Sequence, residues 1–201
     1  MEEKSTYTLA GWLAIGAAIL ALPLVFLGIM VDVAAQRGSE MVPVFLLLFA
    51  CVNVAHLTML VYAFARLRHL LNERFGFHAV DTLIVAIIVI NIAIVSVSIV
   101  SRIGLVAGPL PETLAPVALG GMVFLAVPLA ILGVVFAVKL LSLQDDLHGL
   151  LKPYAYTSIA ASICFATVIL APLGMIVAAA STAILGAIFL KADRPPQVDF
   201  V

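Results

Sequence analysis

ARLRHLLNERFGFH, residues 65–78, stands between two runs so apolar that they belong in lipid, and its placement organises the rest of the chain. Arg66, Arg68 and Arg74 outnumber the single acid Glu73, an excess that the positive-inside rule assigns to the cytoplasmic side. Of the 201 residues, 65% are hydrophobic and 10% charged. That is roughly half the charge of an ordinary soluble domain, and too little polar surface to cover a water-soluble protein of this length. The fold class expected is all-α: a polytopic integral membrane bundle forming a single transmembrane domain over residues 1–201.

Upstream of the basic segment, residues 41–65 form one span, with Asn53 near its midpoint and His56 one turn closer to the cytoplasm. Before it come a short connection at 33–40 and a first span at 9–31, which holds Pro23 and Gly28 and ends at Asp32, read as an interface marker. The residues preceding that span are acidic, unlike the positive start of a secretory signal. Downstream, a third span covers 79–101. Asn91, Ser98 and Arg102 fall within about 40° of one another on a helical wheel, so this stripe should face the bundle. Asn91 and Asn53 each lie near the middle of their spans, which predicts a hydrogen bond between them across the hairpin, worth about 0.6–2 kcal/mol.

The turn-rich GPLPE, residues 108–112, separates the third span from a fourth at 114–141, where Gly120 and Gly121 suggest close helix approach and Pro128 a kink. A second cytoplasmic connection, LSLQDDLHGLLKPY, follows at 141–154. A shift of 73 positions lays Pro43 on Pro116, Arg66 on Lys139, Leu67 on Leu140, Leu70 on Leu143 and Gly76 on Gly149. This is the pattern of two parallel repeated hairpins. In both connections leucines recur at helical spacing (67/70/71 and 140/143/147), as in helix extensions resting on headgroups or on the bundle, or offered to a partner. The apolar stretch 154–190 is too long for one span. Ala171-Pro172-Leu173-Gly174 reads as the turn between helices at 155–171 and 174–190. Six spans with both termini inside leave only Arg37 and Arg102 of the ten basic residues outside, whereas five spans leave four outside, so six is favoured.

A net charge of −1 offers no basic surface to nucleic acid. Cys51 and Cys164 read as small core residues. The polar centre Asn53, His56, Asn91 and Ser98 is the intramembrane candidate site, with structural contact weighed against a solute or proton path. A haem on His56 would need a second histidine at the same depth, and His69, His78 and His148 all lie in connections. On the cytoplasmic side His78, Asp81, Asp145, Asp146 and His148 are the residues a divalent metal could use.

HExxH, GxSxG and phosphate-loop patterns are all missing from the sequence. No catalytic residue, cofactor or metal is therefore expected, and no intramembrane charge pair. The expected function is a noncatalytic subunit or scaffold of a membrane complex. A small transporter or channel built on the polar centre, and a membrane-embedded metal-dependent hydrolase, are the alternatives. The expected partners are the lipid bilayer and another copy or complex subunit, in a bacterial cell inner membrane.

Overall fold

The computed structural model describes residues 2–107, 114–143, 149–167 and 170–192, and these contain only helices and their connections. The helices are α1 (Glu2–Gln36), α2 (Val42–Phe75), α3 (Asp81–Ala107), α4 (Leu114–Leu141), α5 (Leu151–Ala166) and α6 (Ala171–Ala192). Each packs on its neighbours in chain order, and α6 packs back on α1, so the six close into a ring. Five of them contain segments long and apolar enough to cross a membrane. Large apolar side chains point outward along these helices, among them Ile19, Phe26, Val100 and Phe124. Such a surface is tolerable in hydrocarbon and not in water, so the molecule is a multi-pass membrane helical bundle.

α5 has 16 residues, about 24 Å at 1.5 Å per residue, which is shorter than the hydrocarbon layer. The turn before α6 falls at Thr167 and Leu170, earlier than Ala171–Gly174. Pro172 accounts for the difference, because a proline in the first turn of a helix lacks only an N–H that would have no partner there. α1 likewise continues past Asp32 to Gln36, and α2 past Ala65 to Phe75. α2 stops at Gly76, whose φ of 57° suits glycine; its N–H and that of Phe77 close the helix end on Asn72 and Leu71.

The core gathers at one end of the ring, where α2 turns into α3. Leu67, Leu70, Leu71, Ile84, Leu140, Leu151 and Phe189 are almost entirely buried there. The three leucines of the basic segment therefore rest on the bundle itself; Leu143 packs partly against the same core, and Leu147 lies outside the described residues. Charged groups lock this end. Arg74 donates to the Ala192 carbonyl, Lys139 to the Ala79 carbonyl at 2.9 Å, and Tyr7 to Glu73 at 2.7 Å.

Close helix contact occurs where α1 meets α6, between Gly11 and Gly186. A Cβ on Gly120 would meet nothing within 4 Å, so that glycine brings no helix close, contrary to expectation, while the surroundings of Gly121 lie outside the described residues. A Cβ on Gly186 would lie 2.8 Å from the Gly11 carbonyl oxygen and 2.7 Å from Ile15. Gly186→Ala is expected to destabilise the bundle by about 1–3 kcal/mol, because backbone cannot yield as a side chain does. Gly120→Ala should be neutral, and reversible unfolding in detergent micelles compares the two.

Cys51 is exposed on α2 rather than in the core, and Cys164 is half-buried. Cys51 lies between the buried positions Phe49 and Asn53, at an angle of about 200° from each. That turns it outward, where a small apolar thiol is acceptable in lipid.

Candidate functional site

At the basic end Asp81, the first residue of α3, accepts from Arg68 Nε at 2.9 Å and from Asn72 Nδ2 at 3.0 and 3.1 Å, with His78 Nδ1 3.3 Å away. Both carboxylate oxygens are thus engaged by side chains that tie the end of α2 to the start of α3. His69 pairs with Glu73 at 3.2 Å nearby. Among the described residues no group of three or more His, Cys, Asp or Glu gathers as metal ligands would. Asp145, Asp146 and His148 lie outside the described residues, so the proposed meeting of those residues with His78 and Asp81 has no geometry to report.

Asn53 is 5% exposed and continues the buried face of α2 that begins at Phe49. His56, one turn further along that face, is half-buried. On α3 the stripe expected to face the bundle begins with the buried Ile84 and Ile87 and continues through Asn91, Ser98 and Arg102. The hydrogen bond between the two asparagines is not formed. Asn91 Nδ2 instead donates to the Ile87 carbonyl of its own helix at 2.8 Å.

Register explains the correction. Arg68 pairs with Asp81, and Phe49 lies under Arg102, so Asn53 sits level with Ser98, seven residues from Asn91. At 1.5 Å per residue the two amides are about 10 Å apart along the bundle. The midpoints of the apolar runs mislead because α2 continues to Phe75, so the hairpin turns later than the runs suggest.

Ser98, expected in the same polar centre as Asn53, is joined instead to Arg102 and through it to Asp32, two residues outside that centre. Arg102 donates from Nε and Nη2 to the two oxygens of Asp32 at 3.2 and 3.1 Å, and from Nη1 to Ser98 Oγ at 2.8 Å. Its guanidinium lies 4.3 Å from the centre of the Phe49 ring, a cation–π contact. Gly28 clears the space: a Cβ there would stand 3.2 Å from Arg102 Nη2. Asp32 and Arg102 lie four and two residues from the ends of the membrane-length segments Tyr7–Gln36 and His78–Gly104, so the pair sits toward one end of the bundle. Each was read as the end of an apolar run, because a run stops at the first charge whereas the helix does not. Gly28 one turn before Asp32, with Arg102 one turn beyond Ser98, is the signal that could have joined them.

Exposure is unequal within this pair. Arg102 is 18% exposed and Asp32 47%, so the cation is the deeper partner. Asn53 and Ser98 each lie one turn deeper than the Phe49–Arg102 contact, on the same helix faces. Among the described residues no hydrogen bond reaches the side chain of Asn53 or of His56. The site thus combines a bidentate ion pair, a hydroxyl and an amide without a partner, set in the half of the ring away from the packed core. Such an arrangement can hold a polar guest by hydrogen bonds, and it offers no nucleophile–base pair. Compared with known proteins, the chain matches no family model, no curated protein and no solved structure.

Proposed function

We propose that this chain is a noncatalytic multi-pass protein of a cell membrane, a subunit or scaffold of a membrane complex, with the Arg66–Arg74 segment facing the cytoplasm. What carries this reading is that its charged side chains hold its own frame together. Arg68, Arg74, Lys139 and Arg102 each bridge two helices, or a helix and a connection, while Asp32, Glu73 and Asp81 receive bonds from other side chains. A catalytic centre needs groups free to meet a substrate. With the leucine side of the α2 extension turned inward, the surface left for a partner is its polar side, around Arg66 and His69. In a mild-detergent extract the expected particle contains a stoichiometric partner that Arg66→Glu with His69→Glu removes. A homogeneous monomer from native membranes overturns the reading, and labelling of His69→Cys from outside intact cells overturns the orientation.

Six crossings and an internal repeat of the α2–α3 and α4–α5 hairpins belong to the same proposal. Leu67 and Leu140 are both fully buried, and Gly76 and Gly149 both have positive φ, which favours the repeat. α4 ends at Leu141 where α2 continues, so the two copies would differ in their extensions.

A second reading, a small solute transporter, is favoured by Asn53, a largely buried residue whose side-chain amide makes no hydrogen bond to a described residue. Unpaired amides are costly at this depth unless something else meets them. Solute flux in proteoliposomes that Asn53→Ala abolishes would establish it, and flux unchanged by that substitution would remove it. The metal-dependent hydrolase loses support at Asp81, whose carboxylate Arg68 and Asn72 already occupy.

A further inference from the structure

We propose that Arg102, Ser98 and Asn53 together bind a small solute bearing a carboxylate. The inference deepens the reading of this region as a solute site, and rests on it. A guanidinium has five N–H groups, and Arg102 uses three, two toward Asp32 and one toward Ser98. One N–H on each terminal nitrogen is left. The Ser98 hydroxyl accepts from Arg102, so its own hydrogen is free to be donated. One turn deeper than the Phe49–Arg102 contact, the Asn53 amide adds two further N–H groups that no described residue receives. Donors therefore outnumber acceptors, and the ligand that answers such a set is an anion with several acceptor oxygens.

Asp32 shows which anion fits. Its two oxygens meet Arg102 side by side at 3.1 and 3.2 Å, the fork geometry that suits a planar carboxylate. Because Asp32 is 47% exposed and Arg102 18%, the carboxylate is the partner able to leave while the cation stays in place. A solute carboxylate takes over the fork as Asp32 swings to solvent, and its far side reaches Ser98 and Asn53. Phe49, whose ring centre lies 4.3 Å from the guanidinium carbon, covers one side of Arg102. Asp32 is then a built-in competitor, which keeps affinity low and exchange fast.

Propionate is the probe, titrated by calorimetry into the full chain in nanodiscs of zwitterionic lipid. Saturable binding is expected for the native chain. Asn53→Ala and Ser98→Ala should each weaken it about tenfold, the effect of losing one hydrogen bond to a charged group. Asp32→Asn, which removes the competing charge, should tighten it about tenfold. Propionamide, of the same shape without the charge, should not bind. The Asn53→Ala chain should melt no earlier than the native one, since the amide it loses has no protein partner, so loss of binding there is separable from loss of fold. No saturable propionate binding by the native chain, or equal affinity after Asn53→Ala, overturns the proposal even if Asp32→Asn fails to fold. Flux is measured separately. Binding without flux removes only the transport reading, and flux of another solute without propionate binding removes only this one.

Discussion

Asp32→Ala is expected to cost about 3 kcal/mol of stability, and Arg102→Ala about 1 kcal/mol, although the two substitutions break the same ion pair. Removing one partner of a buried pair leaves the other charge without compensation, a penalty of roughly 3–5 kcal/mol when that charge is deep. Arg102 is the deep one, at 18% exposure, and loses two of its three hydrogen bonds when Asp32 goes. Asp32, at 47%, can hydrate when Arg102 goes, so its exposure to solvent reduces the cost toward that of a surface pair. The double variant should therefore be more stable than Asp32→Ala alone. Reversible unfolding of the four chains in bicelles measures this as a double-mutant cycle. Equal single losses, or a double loss equal to their sum, would mean that the pair is not the link between α1 and α3 described above.

Leu70→Ala is expected to destabilise by about 3 kcal/mol, within the 2–5 kcal/mol usual for a buried leucine. Its surroundings decide the size. In lipid, association is driven by packing rather than by escape from water, so truncation there costs less. α2 has 34 residues and is about 51 Å long, some 20 Å more than the hydrocarbon layer. Leu70 lies five residues from its end and is fully buried within a core to which all six helices contribute, so its burial is from water. Val54→Ala, at a position 52% exposed in the apolar half, should change stability by less than about 0.5 kcal/mol. A loss at Leu70 no larger than at Val54 would place the α2 end in lipid.

Much of this architecture follows from composition and periodicity. Long apolar runs with few charges leave membrane helices as the only arrangement that satisfies the backbone, and the α3 stripe from Asn91 to Arg102 shows in its spacing of seven and four. Register was not legible in the same way. Where α2 stops depends on the left-handed turn at Gly76 and on the short connection to Asp81, and a shift of a few residues there moves Asn53 from Asn91 to Ser98. The Asp32–Arg102 pair was hidden for a related reason. Joining two residues 70 positions apart requires knowing that α1 and α3 approach each other over Phe49, a fact of tertiary packing and not of local pattern. The role expected of Gly120 failed because a glycine permits close contact without causing it, and among the described glycines Gly11 and Gly186 are the ones with backbone of another helix opposite them.

The α1–α6 seam gives the bundle a property that an open row of helices lacks. Because the last helix is seated on the first, every helix has two flanking helices, and neither α1 nor α6 is an outer edge. A circularly permuted chain, opened between α1 and α2 at Gly38 and spliced from Ala192 to the start of α1, would keep all six seams. Its assembly could then begin from the α6–α1 pair, which in the native order must await synthesis of α6.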